Sequence, residues 1–168
     1  MEKVSINKSM HLSEHFTLGE LCKTSVKTED GNIPSHAYIE NLKNLCENWL
    51  EDLRYSHNTL YGERSLDNAR DDKGDEPIII TSGYRSPEVN RAVGGSPTSN
   101  HLTGCAVDIR CIGIEQAIRY ASILLDIADG SKRDYDELYI ERSPKGAYWI
   151  HLAVRPKDNR RRTRFIQT

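Results

Sequence analysis

Three short segments hold most of the residues able to do chemistry. They are Ser82-Gly83-Tyr84-Arg85-Ser86-Pro87, the run from Ser99 to Asp108, and Trp149-Ile150-His151-Leu152. Together they offer two histidines and a carboxylate: His101, Asp108 and His151. That donor set is common for catalytic zinc, because three protein ligands leave the fourth tetrahedral position open to water. Such a site lowers the pKa of water to about 7 and polarises a carbonyl, which suits hydrolysis. The spacing from His101 to Asp108 is weak taken alone, and an isolated His151 reads equally as a satisfied core histidine.

The elements that must position these side chains are legible from pattern. Residues 77–82, PIIITS, form a short run of β-branched residues and read as a central strand. Ser86 caps a short helix with Pro87 in its first turn. Cys105–Ile109 reads as a second strand, with Cys105, Val107 and Ile109 on one face and Ala106 and Asp108 on the other. Asp108 is thereby turned away from one core layer, and His101 precedes it in a loop through Gly104. Leu138–Glu141 and Ala147–Val154 read as two strands joined by a hairpin loop at Arg142–Gly146. His151 shares its face with Trp149 and Ala153. Earlier in the chain, Thr17 and Glu20 form a capping-box pattern. Ser35 caps a longer helix carrying Ile39, Leu42, Cys46, Trp49, Leu50 and Leu53 at helical spacing. Residues 114–127 form another amphipathic helix. Helices mixed with a small, largely antiparallel sheet imply an α+β domain.

The chain of 168 residues fits one domain, divided here into a flexible tail at 1–12, a domain at 13–156 with a polar surface loop at 56–76, and a basic tail at 157–168. A net charge of −2 gives no global footprint for nucleic acid, so no nucleic-acid partner is expected. No apolar run is long enough to span a bilayer, and the first residues lack the apolar stretch of a secretory signal. Cytoplasmic synthesis and a monomer are the expectations. Cys22, Cys46, Cys105 and Cys111 show no metal-site spacing and read as buried thiols, with a Cys22–Cys46 disulfide as the alternative outside the cell.

The ordered run SGYRSPEVNRAVGG…SNHLTGCAVDI, followed by WIHLAV, resembles the zinc D-alanyl-D-alanine carboxypeptidase family (peptidase M15, its carboxypeptidase-like branch), which shares its fold with the hedgehog signalling domain. The resemblance spans about residues 14–154. It implies a hedgehog/DD-peptidase fold with zinc (Zn2+) on His101, Asp108 and His151. It implies that Arg85 holds a substrate carboxylate or carbonyl oxygen, and that Ser99 and Tyr84 contact substrate or the metal-site loop. The substrate implied is a peptidoglycan stem peptide or cross-bridge with a D-amino acid, cut by carboxypeptidase or by prophage-type endolysin (endopeptidase) action on the cell wall. A non-catalytic, zinc-stabilised wall-binding module is a further alternative.

One residue pattern of that family is missing. Its Glu-x-x-His would place a general base at position 148, which is Tyr148, and the histidine often found two before the last ligand is Trp149. Glu141 is the replacement base. If residue 143 pairs with 147, Glu141 faces Trp149 and shares the face of His151, about 7–8 Å away on the diagonal. Glu137, on the same face by parity, is the fallback.

Overall fold

The computed structural model describes residues 6–62 and 75–168. Among these residues, five helices and five strands make an α+β domain: α1 (Leu18–Leu21), α2 (His36–Leu45), α3 (Glu51–Tyr61), β1 (Ile80–Ser82), α4 (Pro87–Ala92), β2 (Ala106–Cys111), α5 (Gly113–Ser131), β3 (Glu137–Arg142), β4 (Tyr148–Ala153) and β5 (Arg162–Gln167). A π-helical turn, Cys46–Leu50, joins α2 to α3, and a 3₁₀ turn, Asn100–Thr103, precedes β2.

The local signals act as expected at the helix starts. Thr17 accepts from the Glu20 backbone N–H while Glu20 accepts from that of Thr17, closing the capping box of α1. Ser35 and Ser86 accept from backbone N–H groups at the starts of α2 and α4.

The sheet order is β1-β2-β4-β3-β5, antiparallel throughout except for the parallel pair β3–β5. One face carries Val107, Ile109, Leu138, Ile150 and Leu152 into the core, where they join Ala117, Tyr120, Ile123 and Leu124 of α5. The opposite face carries Asp108, His151 and Tyr139, which sit in one cross-strand row.

Four expectations need correction. The 77–82 segment is an edge strand, not a central one. Ile78 and Ile80 are buried, whereas Ile79 is 37% exposed, so the apolar run covers only one layer. The 56–76 segment is helical as far as Tyr61, because His57 packs edge-on against Tyr120 at 4.9 Å and Arg119 lies over the Tyr61 ring. Its residues 63–74 lie outside the described part of the chain. The basic segment 157–168 is not a loose tail, since half of it is strand β5. At the N-terminal end, Leu12 is buried and His11 bridges Thr17, so the end of the expected tail is fastened to the domain. The four cysteines are free and buried, and burial pushes the Cys22 thiol up to about 12.

Strand β5 is fastened by a buried carboxylate. Asp136, fully shielded, accepts from Arg160 Nε at 2.8 Å, Arg160 Nη2 at 2.6 Å and Asn100 Nδ2 at 2.8 Å. Burial works against its ionisation, but the Arg160 and Asn100 hydrogen bonds bring it down to about 2. A folded-state value below the unfolded one adds stability above the unfolded pKa, and that stability is lost as pH falls through the folded value. The loss should therefore run from about pH 4 to about pH 2, and amount to about 2 kcal/mol. Urea unfolding of Asp136→Asn from pH 7 down to about pH 2 should show lower stability at pH 7 and a flatter pH profile than the parent chain. An unchanged profile would remove Asp136 from this role.

Candidate metal centre

His101 is set by a short turn whose ends are both specified. Ser99 caps it, its Oγ accepting from the His101 N–H at 3.3 Å. Gly104 ends it at φ 69, where a Cβ would collide with the Tyr38 carbonyl oxygen, so only glycine fits. The His101 ring then meets the Gly83 carbonyl through Nδ1 at 2.6 Å. That contact makes Nδ1 the donor to Gly83 and turns Nε2 toward Asp108 Oδ1, 3.3 Å away. Gly83 itself comes so close to the chain that a Cβ would overlap the Leu21 carbonyl oxygen.

Asp108 and His151 are direct cross-strand partners in β2 and β4. His151 Nδ1 lies 3.0 Å from Asp108 Oδ1, and its Nε2 lies 3.0 Å from Glu137 Oε2. The His151 ring stacks on Tyr139, its partner in β3, with centroids 5.4 Å apart. Asp108 Oδ2 accepts from Arg85 Nη2 at 2.8 Å, while Arg85 Nε donates to Ser82 Oγ at 2.9 Å. A register shift in β1 between Ile80 and Ser82 brings Ser82 opposite Asp108.

One donor atom from each of His101, Asp108 and His151 lies within 4.8 Å of the others, and all three residues are buried. The arrangement fits a zinc ion. Two imidazole nitrogens and one carboxylate oxygen converge, and each ligand has a partner on its far side: Gly83 for His101, Arg85 for Asp108, Glu137 for His151. Electrostatics point the same way. Burial disfavours the Asp108 carboxylate, but His101 and His151 hold its carboxyl far below the usual range. Burial likewise disfavours a charged His151, yet hydrogen bonds to Asp108 and Glu137 raise it to about 9. The centre therefore demands a positive charge, which a metal would supply in place of that proton.

A family comparison decides the kinship. The model for Peptidase M15 matches residues 14–126, more than half of the chain. The chain belongs to the peptidase M15 family. This is a family of metallopeptidases, and the match takes in His101 and Asp108, whereas His151 lies beyond it. No curated protein matches the chain. Among the described residues, no helix is long and apolar enough to cross a membrane.

The remaining expected site residues are placed unevenly. Arg85 stands at the centre, engaged with Asp108. Ser99 serves as the cap of the His101 turn. Tyr84 is not brought to the site, since it is 5% exposed and packs in the core against Tyr38 at 6.0 Å. Glu141 pairs with Trp149, the register expected from the hairpin, and so lies on the His151 face. It makes no ion pair among the described residues. Burial raises its carboxyl above the usual range, with Asp108 adding to that and His151 and Arg85 opposing. Glu137, the fallback base, is instead committed to His151 Nε2, Asn100 and Arg160. Asn100 and Arg160 carry no motif that singles them out.

Second partners of ligating histidines fix ring orientation, and their loss weakens metal binding about 10–100-fold. Glu137→Gln should show that loss of zinc affinity in a chelator competition, with the fold retained by circular dichroism. Unchanged affinity would mean that the Glu137–His151 contact does not orient the ligand.

Proposed function

We propose that this protein is a zinc-dependent peptidoglycan peptidase of D-Ala-D-Ala carboxypeptidase type, cutting a stem-peptide bond beside a D-amino acid. One observation carries the reading. Asp108 and His151, whose donors converge with that of His101, share a sheet face with a half-buried carboxylate, Glu141, that is not committed to an ion pair among the described residues. Kinship with the M15 peptidases supports the reaction class.

Zinc held by His101, Asp108 and His151 would supply Lewis acidity and a more acidic water. Glu141 acts as the general base. It accepts a proton from the attacking water and delivers it to the amine that leaves, so one carboxylate serves both halves of the hydrolysis. Its raised carboxyl suits that exchange better than an ordinary exposed glutamate would. Arg85 keeps Asp108 in place through Nη2 and offers its remaining N–H donors to the substrate's carboxylate or carbonyl oxygen. Glu137 plays no part in proton transfer and holds the His151 ring.

The variant Glu141→Gln separates catalysis from assembly. Turnover of a D-Ala-D-Ala peptide should fall about 10²–10⁴-fold, the usual worth of a general base, while bound zinc stays at the parent level. Mass spectrometry of the digest reports the released D-alanine, and metal analysis reports the zinc. Parent-level turnover in this variant, or full activity after chelation, would overturn the proposal.

A further inference from the structure

Register extends the metal row across the whole sheet. Ser82 faces Asp108, Asp108 faces His151, His151 faces Tyr139, and Tyr139 faces Arg164 of β5. Arg85 stands at one end, bonded to Ser82. Arg164 stands at the other, its guanidinium carbon 6.0 Å from the centroid of the Tyr139 ring that stacks on His151. Arg162 lies on the same face, one pair along, opposite Glu137.

The basic segment divides sharply in what its arginines do. Arg155, Arg160 and Arg161 are each paired with carboxylates: Asp136, Glu137, Asp129 and Asp134. Arg162 and Arg164 make no ion pair among the described residues and are exposed. A guanidinium lying over an aromatic ring still presents its N–H edge, and that edge matches a carboxylate in planar, bidentate fashion. Arg164 is therefore held against the wall of the site with its donors unspent.

We propose that Arg164 forms a carboxylate subsite that reads an acidic residue of the peptide substrate on the side of the donor cluster away from Arg85. The inference rests on the peptidase reading above and deepens it by naming an acidic peptide as substrate. Strands in a sheet are about 4.8 Å apart, so Arg164 stands about 10 Å from His151 along the row. An extended peptide rises about 3.3 Å per residue. A peptide lying along the row brings to Arg164 a side chain about two or three residues from the bond that is cut. Tyr139, buried between them, ties Arg164 to the His151 ring.

The test uses the full-length, zinc-loaded chain and two synthetic pentapeptides ending in Lys-D-Ala-D-Ala. One carries glutamate before the lysine and the other carries glutamine. The parent protein should show a KM about three- to tenfold lower for the glutamate peptide, the scale of a partly exposed charge-assisted contact. Arg164→Ala should erase that difference by raising KM for the glutamate peptide alone, with kcat unchanged. Arg164→Glu should reverse the preference. Arg162→Ala removes the same charge from the same strand and should keep it. If Arg164→Ala leaves the ratio intact, or Arg162→Ala erases it equally, the arginines act only as edge-strand charges and the proposal fails. Should the parent cleave neither peptide, the peptidase reading fails instead. Calorimetric titration of both peptides then decides the subsite: a glutamate preference lost in Arg164→Ala upholds it, and equal binding overturns it.

Discussion

A carboxylate buried in the middle of a sheet is the constraint around which the rest of this structure is arranged. Asp108 has lost most of its water, and an unpaired ion in that position would cost several kcal/mol. The fold answers with partners on both oxygens. Oδ1 faces the two imidazoles and Oδ2 receives Arg85. Each of those groups is itself fixed from behind, by Gly83, Glu137 and Ser82. The local sequence makes sense in that light. Gly104 allows the turn that delivers His101, Gly83 allows a backbone approach that places its carbonyl, and the β1 irregularity brings Ser82 level with Asp108.

The same logic runs outward to the last strand. Glu137 is shared between His151 and Arg160, and Arg160 is shared between Glu137 and Asp136. The backbone of Arg162 also donates to the Asp136 carbonyl, where β5 begins its pairing with β3. The candidate metal centre and the edge strand are therefore held by one continuous set of charged hydrogen bonds. Such networks rigidify a site only when every member is satisfied, which is the case for the groups named here. Paired and exposed arginines thus alternate within one short segment.

How much of this is legible in the sequence follows from how far apart the partners lie in the chain. The hairpin is readable because a short turn fixes register, and parity then places Glu141 and Glu137 on the His151 face. His101 and Asp108 are readable from ordered motifs, with β2 alternation turning Asp108 out of the core layer. Strand β5 escapes the sequence pattern because arginines crowd the segment and nearly all of the strand is exposed, and its pairing depends on Asp136, a contact no periodicity announces. The reach of α3 to Tyr61 is hidden because His57 is held by Tyr120, far along the sequence. Tyr84 carries a motif position, yet its neighbours are Tyr38 and the core rather than the ligands. Glu137 is visible as a possible base, and only its contact with Nε2 shows that it supports a ligand.

X-ray absorption at the zinc edge distinguishes a His101–Asp108–His151 centre from any other zinc site. The expected result is one zinc per chain in a shell of nitrogen and oxygen, with two imidazoles at about 2.0–2.1 Å and no sulfur. Asp108→Ala should lose this signal. A sulfur shell, drawn from any of the four cysteines, or a zinc signal unchanged in Asp108→Ala, would contradict this assignment.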